Sequence, residues 1–104
     1  MNNDEHILLV EDDQSLQELI EKLLQNNDYI VSNANNIEEA GKLINLFTFD
    51  LIILDVMLPD STGLDFYKER IKDRLNTPVI FLSALKIDIF EGVILANSLS
   101  SNGM

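Results

Sequence analysis

Three acidic residues and a serine stand where short apolar runs end. Glu11 and Asp12 follow Ile7-Leu8-Leu9-Val10, Asp55 follows Leu51-Ile52-Ile53-Leu54, and Ser83 follows Val79-Ile80-Phe81-Leu82. Were these runs parallel strands of one sheet, all four residues would meet at its carboxyl edge, where α/β folds place their sites. Clustered carboxylates repel one another and call for a compensating cation. Oxygen donors without His or Cys suit a hard ion such as Mg²⁺, which takes one or two carboxylates and keeps several waters. A bound metal, a nucleophilic carboxylate and a hydroxyl donor together can accept a phosphoryl group.

Taken singly, these residues differ in weight. Asp55 is the strongest, because an acid at the end of a buried strand is costly without a partner. Glu11-Asp12-Asp13 alone reads more readily as a solvated strand end plus a helix cap than as a site, and Ser83 alone is a weak signal. Pro59 and Gly63 read as loop geometry. His6, ahead of the first strand, reads as a surface residue.

Four apolar runs alternate with amphipathic segments. Leu16, Leu19, Ile20, Leu23 and Leu24 mark one face of a helix, capped by Asp13 or by a Ser15–Glu18 box and stopped at Asn26-Asn27-Asp28. A second, less apolar strand at 29–34 belongs nearer an edge. Asn36 caps a second helix whose stripe is Ile37, Ala40, Leu43, Ile44 and Phe47. Residues 56–63 form a loop. A third helix at about 64–70 turns Leu64, Tyr67 and Ile71 inward, and a fourth spans 86–96 with Ile87, Phe90 and Ile94. The polar stretch 97–104 reads as a frayed tail. The order βαβαβαβα predicts an α/β fold: one domain, with a parallel sheet and helices on both faces.

Composition narrows the function classes. The 104 residues carry a net charge of −11 with 46% hydrophobic content and no Cys. That charge argues against a nucleic-acid grip or an anionic membrane surface as partner. Disulfides and thiolate chemistry are excluded. With neither a secretory leader pattern in Met1–His6 nor a bilayer-length apolar run, the expected location is the cytoplasm.

Four segments together resemble the receiver domain of two-component response regulators: Ile-Leu-Leu-Val-Glu-Asp-Asp at 7–13, Phe-Asp-Leu-Ile-Ile-Leu-Asp-Val-Met-Leu-Pro at 49–59, Gly-Leu at 63–64 and Thr-Pro-Val-Ile-Phe-Leu-Ser-Ala at 77–84. The resemblance covers about residues 6–88, and the interval from Asp55 to Ser83 is similar to that of the winged-helix transcription-factor branch. It implies a flavodoxin-like fold and a bacterial phosphorelay role, not an enzyme's. By that resemblance Asp55 is the phosphoacceptor, served by a sensor histidine kinase. Glu11 and Asp12 hold Mg²⁺, with Asp12 and Asp55 as direct ligands and Met57 offering its backbone carbonyl. Ser83 is the switch hydroxyl.

The sequence departs from that family after the fourth strand. It carries no recognisable fifth strand, no Lys-Pro at that strand's end and no fifth helix, which implies a single receiver domain over 1–104 shortened at its C-terminal end. Strand four then becomes an exposed edge with a tendency to self-associate. The alternative is a non-signalling remnant, an interaction or decoy fragment that cannot switch. A haloacid dehalogenase phosphatase carries little weight, because Met57 stands where that class needs a second Asp.

Overall fold

The computed structural model describes residues 5–82. Ser83, the helix expected at 86–96 and the tail at 97–104 lie outside the described residues. So does the stretch in which a fifth strand and helix would fall.

Each apolar run forms a strand: β1 (His6–Val10), β2 (Ile30–Ala34), β3 (Leu51–Asp55) and β4 (Val79–Leu82). Between them lie α1 (Gln14–Gln25), α2 (Ile37–Leu46) and α3 (Gly63–Phe66), which runs on into a π-helical turn at Tyr67–Ile71. All strand pairs are parallel, in the order β2-β1-β3-β4. A continuous apolar run suits a strand covered on both faces, and β1 and β3 are the two central strands. On one face Leu8, Val10, Ile52 and Leu54 pack with Ala40 of α2, and with Phe66 and Ile71 beyond β3. On the other, Ile7, Leu9 and Ile53 meet Ile20 and Leu24 of α1. This is the α/β sheet with helices on both faces that the patterning predicts.

The helices begin where polar side chains take up their first amides. Asp13, not the Ser15–Glu18 box, caps α1 by accepting the Leu16 N–H at 3.1 Å. Asn36 caps α2 by accepting the Glu39 N–H at 2.8 Å. Replacing Asn36 with Ala is expected to cost about 1 kcal/mol, read from urea unfolding. The Asn26-Asn27-Asp28 stop works through Asp28, whose φ of 68° lies in the left-handed region that Asp tolerates better than most residues.

Three expectations about packing are corrected. Leu19 (48% exposed) and Leu23 (62%) do not enter the core, because α1 meets the sheet along a narrower stripe: Leu16, Ile20 and Leu24. Phe47 is not part of the α2 stripe. The helix ends at Leu46 and Phe47 adopts an extended conformation, half exposed. Leu64 is exposed, and Phe66 takes the inward place in α3. The cause is the π-helical turn, closed by the Lys72 N–H on the Tyr67 carbonyl at 2.8 Å. Its wider i→i+5 spacing brings Phe66 and Ile71 to the same core, where an α-helical count misses the pairing.

Candidate functional site

Register places the acids. Val10 is paired with Leu54 across β1 and β3, so Glu11 and Asp55 stand one step further along neighbouring strands. Glu11 continues the ladder by donating its N–H to the Ala34 carbonyl at 3.0 Å. Both acids are fully buried and Asp12 is exposed. One carboxylate oxygen from each of Glu11, Asp12 and Asp55 lies within 4.8 Å of the other two. The convergence expected of the three acids is thus present among the described residues, which do not include Ser83.

Hydrogen bonds orient these carboxylates. The Met57 N–H donates to Asp55 Oδ1 at 2.9 Å, a turn in which the side chain bonds two residues ahead. The Asp13 N–H likewise donates to Glu11 Oε2 at 2.9 Å. Gln17, buried on α1, donates from Nε2 to the Glu11 carbonyl at 2.9 Å and to Asn35 Oδ1 at 3.1 Å. The cradle therefore involves both the β1–α1 and the β2–α2 connections.

The loop after Asp55 folds back on itself. Met57 and Thr62 form an antiparallel bridge, and the Gly63 N–H donates to the Val56 carbonyl at 2.7 Å. Thr62 then caps α3 by accepting the Asp65 N–H at 3.2 Å. This return brings Gly63 so near β3 that an added Cβ would sit 2.0 Å from the Asp55 carbonyl oxygen. Gly63 is more than loop punctuation: the close approach leaves no room for a side chain. Met57 is brought beside Asp55 by its amide. On the far side, Leu82 is the register partner of Asp55. Ser83 follows Leu82 in the chain but is outside the described residues.

The donor set suits the ion expected from the sequence. Three carboxylate oxygens converge at one strand edge, two from buried side chains, and hard oxygen donors of this kind match Mg²⁺. His6 takes no part, being at the opposite end of β1. It is also less exposed than expected: its ring is half-buried against Phe47 and Phe49, with centroids at 5.8 and 4.6 Å, and its Nε2 lies 2.7 Å from Ser32 Oγ. Reading the sequence missed Gln17 and Asp60, since their partners lie on other elements and no local pattern announces them.

A parallel α/β sheet with acids gathered at its carboxyl edge is the arrangement that the resemblance to a response regulator receiver domain implies. Residues 7–94 match the model of that family, and the chain belongs to it. The resemblance read from the four motifs is thereby borne out. Among curated relatives, the uncharacterized transcriptional regulatory protein YcbL of Bacillus subtilis (strain 168) is 37% identical over 82 residues, covering 79% of this chain and 36% of that one. The chain thus spans about a third of that relative's length. Among solved structures, the Thermotoga maritima response regulator TrrA in complex with Mg²⁺-BeF is 33% identical with a TM-score of 0.72, over 81% of this chain and 73% of that one. TrrA in complex with the histidine kinase ThkA is 35% identical with a TM-score of 0.70, over 77% and 69%.

Proposed function

We propose that this chain is the phosphoacceptor of a two-component relay, with Asp55 the residue that receives the phosphoryl group. The observation that carries this reading is the placement of Asp55: buried, oriented by the Met57 N–H and within 4.8 Å of the Glu11 and Asp12 carboxylates. One Asp55 carboxylate oxygen attacks phosphorus as the bond to the donor's leaving oxygen or nitrogen breaks. The leaving group keeps that electron pair, and Asp55 becomes an acyl phosphate. Glu11, Asp12 and Asp55 would hold Mg²⁺, with the Met57 carbonyl as a further ligand. Bound there, the ion would offset the charge of the transferring phosphoryl oxygens. Ser83 would supply the hydroxyl that reads the new group.

A sensor histidine kinase is the proposed donor, supported by the likeness to TrrA, which has been captured with ThkA. In this reading the domain is a switch and not an enzyme, acts in the cytoplasm, and meets protein partners in preference to nucleic acid, as its charge of −11 favours. Half-exposed Ile80 and Phe81 on β4 offer a face for self-association.

Intact-mass measurement after incubation with acetyl phosphate tests the proposal. With Mg²⁺ the chain is expected to gain one phosphoryl group that is lost in alkali. Chelating the metal, or substituting Asp55→Asn, is expected to remove the gain. A gain that survives Asp55→Asn contradicts the reading.

A further inference from the structure

Asp60 sits in the loop after β3, and its carboxylate reaches another element. Oδ1 accepts the Ile37 N–H at 3.0 Å and Oδ2 accepts the Glu38 N–H at 3.1 Å. These are the first two amides of α2, which have no acceptor within the helix. A carboxylate is favoured there by the positive end of the helix dipole. The third amide, from Glu39, is taken by Asn36. Asp60 therefore makes a two-point hitch between a loop and a helix 22 and 23 residues away in sequence.

What that hitch restrains is the segment beside Asp55. The loop is closed by the Met57–Thr62 bridge and by the Gly63 N–H on the Val56 carbonyl. Met57 in turn donates its amide to Asp55 Oδ1. On the other side, Asn35 accepts from Gln17, which also holds the Glu11 carbonyl. The N-terminal turn of α2 is thus bonded toward both strands that carry the buried acids. A loop fixed at its base alone could pivot; fixed also at Asp60, it has a second anchor on a rigid element.

We propose that Asp60 is a positioning residue for the metal site, holding the Met57 loop against α2 so that the Met57 backbone keeps its place beside Asp55. The inference rests on reading Glu11, Asp12 and Asp55 as a Mg²⁺ site.

Amide NMR on the full chain tests it in two arms. Titration with MgCl₂ gives the Kd of the wild type and of the Asp60→Ala, Asp60→Asn and Asn36→Ala variants. Asp60→Ala is expected to raise the Kd about tenfold, the scale seen when groups behind metal ligands are removed. Asp60→Asn, which keeps one acceptor oxygen, should fall between. Asn36→Ala removes a cap from the same helix without touching the loop and should stay within about twofold of wild type. An Asp60→Ala Kd no higher than that of Asn36→Ala overturns the proposal. So do equal shifts for both Asp60 variants that vanish in about 0.5 M salt, which would be loss of charge alone.

The second arm is hydrogen exchange without metal. Asp60→Ala should speed exchange at the Met57 and Gly63 amides, and Asn36→Ala should not. If the wild type shows no Mg²⁺-dependent shift, the metal reading fails, and this arm still decides whether Asp60 holds the loop. Unchanged exchange overturns that role.

Discussion

Gly63→Ala is expected to destabilise the fold by about 3 kcal/mol or more, a large effect for one methyl group. The added Cβ would meet the Asp55 carbonyl oxygen at 2.0 Å, the Asp55 carbonyl carbon at 2.9 Å and Leu54 Cγ at 3.2 Å. Two of these three atoms are backbone in a central strand, so no rotamer change relieves the clash. Either the end of β3 or the start of α3 must shift. A shift there also disturbs the Gly63 N–H bond to Val56 and the bridge between Met57 and Thr62. Stability and site geometry should fail together. Urea unfolding of the variant reads the first, and its response to Mg²⁺ reads the second. A variant within about 1 kcal/mol of wild type would show that α3 can move off β3 at little cost and that the close approach at Gly63 is not rigid.

The second large effect is the linkage between metal and folding. An ion that binds only the native state stabilises it by about 1.4 kcal/mol at tenfold excess over its Kd, and by about 2.7 kcal/mol at a hundredfold. Mg²⁺ should therefore raise the unfolding midpoint of the wild type, where Na⁺ at equal ionic strength does not. Asp12→Asn should abolish this gain. Asp12 is exposed, so the substitution removes a charge from the proposed metal site without opening the core. Paired urea titrations with Mg²⁺ and with chelator measure both. If Asp12→Asn keeps the full Mg²⁺ gain, the ion binds elsewhere.

These effects depend on features that differ in how far the sequence displays them. An acid directly after an apolar run is a local pattern, and Glu11, Asp12 and Asp55 were legible on that ground together with the parallel sheet implied by alternating strands and helices. The Asn36 cap was local too. The hitch from Asp60 to α2 was not, because its partners are more than twenty residues away and Asp in a loop is ordinary. Nothing local in the sequence marks Gln17, a polar residue within an amphipathic helix that is buried and bonds two loops. Periodicity marked Leu19 and Leu23 as apolar without saying how wide a stripe the sheet covers. In α3 the π-helical turn changes the phase, so an α-helical count chose Leu64 over Phe66. Tertiary contacts decide such points.

The central claim is that Asp55 carries the phosphoryl group. Borohydride reduces an acyl phosphate to an alcohol, so a phosphorylated Asp becomes homoserine. The chain treated with acetyl phosphate and Mg²⁺, then reduced and digested, can be mapped by peptide mass. Homoserine at position 55, and nowhere else, is the expected result. Homoserine at another Asp, the one-carbon-longer alcohol at a Glu, or no reduced residue at 55 under conditions where the intact chain has gained a phosphoryl group, would contradict it.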